Sequence, residues 1–137
     1  MKTVYLAAPL FREAECDFNR KLRNELISAG FDVFLPQEDS NNIKDNKDRQ
    51  TIIFNKNLKG IENSDILVAV LDGADVDSGT AWEIGFAFAK GKSVLGLRTD
   101  FRTLGREGTV NLMIERSVIL CMSIPELLNH LKSMQGA

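Results

Sequence analysis

The chain has 137 residues, 44% hydrophobic and 26% charged, the balance of an ordinary globular protein long enough to bury a core. Its 17 Lys and Arg stand against 19 Asp and Glu, a formal charge of −2, so no face is forced to be basic and a nucleic-acid polymer is a poor partner. The longest strongly apolar run, Ile66 to Leu71, is far too short to cross a membrane. The opening Met1-Lys2-Thr3-Val4-Tyr5 has no secretory core, and Cys16 and Cys121 lie far apart with no C-x-x-C, so a reducing, cytoplasmic setting is expected. With His130 as the one histidine, no metal site is expected. Length alone argues for one domain over 1–137.

Thr3 to Ala7 is a short β-branched and aromatic run that stops before Pro9, a first strand. Ala14 to Ala29 carries apolar residues at Phe18, Leu22, Leu26 and Ile27, a helical stripe ended by Gly30. Asp32 to Leu35 is a second strand closed by Pro36, and the polar stretch Gln37 to Asp48 reads as a surface loop. A second helix follows over Arg49 to Asn63. Asp65 to Leu71 is a continuous apolar strand of the kind buried on both faces of a parallel sheet. After a loop opened by Asp72-Gly73, Ala81 to Lys90 is a third helix, then Ser93 to Leu97 a fourth strand. Arg98 to Val110 is a second polar loop, Asn111 to Glu115 one helical turn, and Ser117 to Cys121 a fifth strand. Ser123 caps a last helix with Pro125 in its first turn, where the missing N–H costs nothing.

Alternating strands and helices predict a parallel sheet covered on both faces, a flavodoxin-like (Rossmann-like) three-layer α/β sandwich with five strands in the order 2-1-3-4-5. In that order ligands sit at the carboxyl ends of the strands, between the first and third. The loops Ala8 to Arg12 and Asp72 to Thr80 therefore carry the expected site.

Several motifs are excluded. No glycines follow the first strand, which reads Ala7-Ala8-Pro9-Leu10-Phe11-Arg12, so a dinucleotide cofactor is not expected. Gly85 to Ser93 resembles a phosphate loop, but it has five residues between its glycines and runs from helix into strand, the wrong direction. There is no acidic pair after the first strand and no Gly-x-Ser-x-Gly elbow. What remains is an acidic group around the third strand: Asp72, Asp75, Asp77 and Glu83. One reading is purely structural, with Thr80 and Glu83 as a capping box and the aspartates as turn residues. The other is a site, because neighbouring carboxylates oppose one another's ionisation and so separate nucleophile from acid. A carboxylate in a helix's first turn is a natural partner for a glycosidic carbon developing positive charge, with no cofactor required.

The chain resembles the nucleoside 2-deoxyribosyltransferase family. The pieces that carry the likeness are Val4-Tyr5-Leu6-Ala7-Ala8, Asn63-Ser64-Asp65, the block from Asp77-Ser78-Gly79-Thr80 through Glu83 and Gly85 to Lys92, and Asn111-Leu112-Met113. The resemblance implies that Glu83 attacks C1′ of a 2′-deoxynucleoside, that Tyr5 orients that carboxylate, and that Asp72 contacts the nucleobase and helps protonate it as it leaves. It implies substrate binding by Asp77, Asn111, Met113, Phe11 and Gly79, with Asn111 donated across a subunit interface. A homo-oligomer, a dimer unit or a hexamer, is implied with it, and the partners are deoxynucleosides and free nucleobases in salvage. The third helix supports this, being apolar nearly all round from Ala81 to Ala89, unless the late loop covers its second face.

A sister group, the 2′-deoxynucleoside 5′-phosphate N-hydrolases, has small hydroxyl residues where this chain has Asp77 and Asn111. A carboxylate facing a dianionic phosphate is costly, which favours the transferase. Ser78, Thr80, Arg102 and Arg106 keep a phosphate substrate open. A non-catalytic nucleoside-binding module is the third alternative.

Overall fold

The computed structural model describes residues 1–40, 43, 44 and 46–135. In chain order the elements are β1 (Thr3–Ala7), α1 (Glu13–Ser28), β2 (Asp32–Phe34), α2 (Pro36–Asp39), α3 (Arg49–Asn63), β3 (Ile66–Val70), α4 (Ser78–Ala89), β4 (Ser93–Leu97), α5 (Leu112–Glu115), β5 (Ile119–Cys121) and α6 (Ile124–Gln135). A 3₁₀ turn at Gly105–Glu107 interrupts the late loop. The five strands are all parallel in the order β2-β1-β3-β4-β5, the flavodoxin-like arrangement that the sequence predicts.

Side chains alternate across a strand, so each strand feeds two cores. Val4, Leu6, Val68 and Leu95 face one way and pack with Leu22 and Leu26 of α1 and Leu127 and Leu131 of α6. Tyr5, Ala7, Leu67 and Ala69 face the other way and pack with Ile61 of α3 and with Ile84 and Ala87 of α4. The same alternation delivers Tyr5 to the face carrying α3 and α4. Close approach of the β4 backbone to Leu71 depends on Gly96, where a Cβ would lie 2.6 Å from Leu71 Cδ1.

The structure departs from the sequence reading in three places that bear on the site. The stretch read as a loop from Gln37 begins with one helical turn, Pro36–Asp39, held by the Asp39 carboxylate accepting from Leu35 N–H; Asn41, Asn42 and Asp45 of that stretch lie outside the described residues. The third helix begins at Ser78, three residues earlier than expected. Asp77 is its N-cap, accepting from Thr80 N–H at 3.0 Å and from the Thr80 hydroxyl at 3.1 Å. Thr80 is therefore buried inside the helix, and the expected Thr80–Glu83 capping box does not form.

Arg98 is the third departure. Expected to open a polar loop, it is 1% exposed and folds back to donate to the carbonyls of Leu71, Gly73 and Arg102. A guanidinium in that position fastens the end of β3 to the late loop.

Candidate active site

Tyr5 stands mid-strand in β1 and is completely buried. Its hydroxyl donates to Glu83 Oε2, one turn into α4, closing a pair 78 residues apart in sequence. Because the N-cap is Asp77, Glu83 lies beyond the unpaired N–H groups of the first turn, and its carboxylate turns inward to the phenol. Burial pushes the Glu83 carboxyl up to about 7; the Tyr5 hydrogen bond pulls against that rise and the nearby charge of Asp77 adds to it. Burial first, then the charge and hydrogen bond of Glu83, hold the Tyr5 phenol far above its usual range, so it remains a protonated donor.

Glu83 opens into a cleft of about 400 Å³ at the carboxyl ends of β1 and β3, within the range of small-molecule sites. Ala8, Leu10 and Phe11 form one wall, Phe54, Asn57, Leu58 and Ile61 of α3 another, and Asp77, Gly79, Trp82 and Glu83 the third. The lining is mostly apolar, with two carboxylates and one amide as its convergent polar groups. Among the described residues that line it there is no Lys or Arg.

The expected residues separate into three groups. Glu83, Asp77, Gly79 and Phe11 line this cleft, with Phe11 at its lip, and Tyr5 stands behind Glu83, hydrogen-bonded to it. Asn111 and Met113 are not among the residues that line it. Asn111 caps α5, accepting from Met113 N–H at 2.9 Å, and Met113 is exposed.

Asp72, expected to contact the nucleobase, stands apart from these. It lines a neighbouring cavity of about 280 Å³ on the α1 side, with Arg12, Glu15, Asp100 and Arg102. Its Oδ1 accepts from the N–H groups of Thr99 and Asp100 at 2.7 and 2.9 Å, and its Oδ2 from the Thr99 hydroxyl at 2.6 Å. Two residues past β3, the carboxylate has turned toward the late loop, which Arg98 also fastens. Of the four acids singled out in the sequence, only Asp77 and Glu83 share the cleft; Asp75 is exposed and accepts from Val76 N–H.

Sequence reasoning missed Asn57. Its Oδ1 accepts from the buried Ser40 hydroxyl at 2.6 Å, which orients the amide within the cleft wall. The signal was a polar residue inside the apolar stripe Phe54, Leu58, Ile61. Among the described residues one group gathers metal-ligand atoms within 4.8 Å of one another, namely Cys121, Glu126 and His130, and none of the three lines the cleft. Glu126 there accepts from Met122 N–H, and burial, then the charge of Glu126, pushes the Cys121 thiol up to about 11.

Fold and cleft together define a flavodoxin-like α/β protein built around a buried carboxylate–phenol pair at the sheet's switch point. The profile of the nucleoside 2-deoxyribosyltransferases matches residues 4–120, and the chain belongs to that family. It is an enzyme of a type that transfers or hydrolyses glycosyl groups. Among solved structures, a conserved protein from Enterococcus faecalis V583 is 30% identical, with 98% of this chain and 99% of that one covered at a TM-score of 0.83. A 2-deoxyribosyltransferase from the psychrotolerant bacterium Bacillus psychrosaccharolyticus is 28% identical over 93% of this chain and 90% of its own, with a TM-score of 0.81. No curated protein matches significantly. No helix among the described residues is long and apolar enough to cross a membrane.

Proposed function

We propose that the protein moves 2-deoxyribose between nucleobases by double displacement through a covalent ester on Glu83, in nucleoside salvage. The observation that carries this reading is a Glu83 carboxylate that lines an apolar cleft and is held from behind by the buried Tyr5 hydroxyl. A Glu83 oxygen bonds to C1′ as the C1′–N bond breaks, and the bonding electron pair leaves on the base, which takes a proton from water, with Asp72 as the residue that assists. A nitrogen of a second base then bonds to C1′, gives up its proton to water and returns the carboxylate, so two inversions leave the sugar's configuration retained. Tyr5 keeps one oxygen of Glu83 fixed while the other reacts. Trp82, Phe54 and Leu10 supply apolar surface for a flat base, and Asn57 supplies an amide for its edge.

Asp77 is the partner for the sugar's 5′-hydroxyl. Both bonds that it accepts from Thr80 fall on Oδ2, and Gly79 leaves room beside that oxygen, where a Cβ would lie 3.3 Å away. A carboxylate there, in a cleft whose described lining has no cation, favours a nucleoside over a 5′-monophosphate. Asn111 and Met113 act from a second copy of the chain. Phe88 of α4 remains 56% exposed in the single chain, apolar surface for that copy to cover.

The test is base exchange. One deoxynucleoside mixed with a second free base should yield the second deoxynucleoside, and Glu83→Ala should abolish this while its circular dichroism stays that of the parent. Release of base from deoxynucleoside monophosphates with no transfer would establish the hydrolase instead. Saturable binding without turnover would establish a binding module.

A further inference from the structure

The Tyr5 ring is itself held from behind. Phe34 of β2 pairs in register with Tyr5 of β1, so both side chains project from the same face of the sheet. Their rings stack with centroids 5.3 Å apart and planes 11° from parallel. Behind Phe34 lies Gly60, buried in α3, where a Cβ would come within 3.0 to 3.1 Å of three atoms of the Phe34 ring. Glycine inside a helix costs about 1 kcal/mol relative to alanine, and Gly60 is not among the glycines with positive φ, so no unusual backbone conformation calls for it. Its absent side chain makes room for the Phe34 ring.

We propose that Phe34, seated on Gly60, is a positioning residue that sets the plane of the Tyr5 ring and so the line from its hydroxyl to Glu83. This rests on the reading of Glu83 as the nucleophile. Phe34 is not among the residues lining the cleft, so it acts through Tyr5 and not on substrate. Reacting groups must be held within about 0.5 Å and 10–20° to be productive. A tyrosine on a strand reaches its partner only at the tip of a long lever, so its ring tilt decides that geometry.

The experiment is a double-mutant cycle on base exchange with wild type, Phe34→Leu, Tyr5→Phe and the double variant. Leucine keeps the apolar cover and loses the flat stack. Phe34→Leu should lower kcat about tenfold and leave KM within about twofold. In the Tyr5→Phe background the same change should lower kcat by less than about twofold. Equal losses in both backgrounds, or no loss in kcat, would overturn the proposal. If Phe34→Leu does not fold, Gly60→Ala, which presses on the same ring, is held to the same criteria. If wild type shows no exchange, the functional reading has failed but the positioning remains measurable. Tyr5 is the only tyrosine, so 13Cζ-labelled tyrosine gives one resonance. Phe34→Leu should move it toward its position in Glu83→Ala; an unmoved resonance would overturn the proposal.

Discussion

Glu83→Gln should stabilise the protein above neutral pH and leave it nearly unchanged in acid. The folded state raises the Glu83 carboxyl from an ordinary 4.5 to about 7, chiefly by burial. A carboxyl raised on folding holds its proton more tightly in the folded chain. Its contribution to stability is thus full below pH 4.5 and lost as pH climbs through 7. The interval from 4.5 to about 7 is worth roughly 3 kcal/mol by pH 8. Glutamine keeps the shape and never ionises, so it escapes that loss, and its carbonyl oxygen still accepts from Tyr5. For a chain of this size the difference is on the order of 10 °C in Tm. Urea unfolding of both proteins at pH 4, 6 and 8 reads it directly. The gap should widen from near zero at pH 4 to its maximum at pH 8. A gap independent of pH, or one that favours wild type at pH 8, would refute a buried, destabilised carboxylate at this position.

Three further changes follow from the geometry. Tyr5→Phe removes the hydrogen bond that lowers the Glu83 carboxyl, so the acid limb of kcat/KM should move above pH 7 and turnover should fall about 10- to 100-fold; the pH–rate profile checks both. Asp77→Ala removes the cap of α4 together with the proposed partner of the 5′-hydroxyl. It should cost about 1 kcal/mol in urea unfolding, and it should raise KM for a 2′-deoxynucleoside while leaving KM for the 5′-deoxy analogue nearly unchanged. Gly96→Ala places a Cβ 2.6 Å from Leu71 and 3.0 Å from Val118, and should cost about 1–3 kcal/mol in the same unfolding assay.

The architecture was legible because its signals are local and agree with one another. The continuous apolar run of β3 marks a strand covered on both faces, and the strict alternation along β1 sends Tyr5 to one core and its neighbours to the other. Tyr5 and Glu83 were legible from the family resemblance and from their elements together. Direction, in contrast, is not written in spacing. Asp72 stands nearer the end of β3 than Asp77, yet its carboxylate turns to N–H groups of the late loop that become neighbours only when β3 and β4 pair. Asp77 and Thr80 are both good caps, and in the fold Asp77 takes the cap while Thr80 is buried within the first turn, donating to it. Asn57 reads as one polar residue in a stripe until α3 packs over the cleft. Arg98 follows a strand like any loop-opening arginine; its burial needs three carbonyls from two segments to gather around it.

The most direct test of the covalent proposal is the intact mass of the protein, quenched in acid after brief incubation with a deoxynucleoside and no acceptor base. A fraction heavier by one 2-deoxyribosyl group, with the label on the peptide containing Glu83 and lost when a base is added before quenching, is the expected result. An unmodified mass under conditions where base exchange is running, or a label on any other residue, would contradict it.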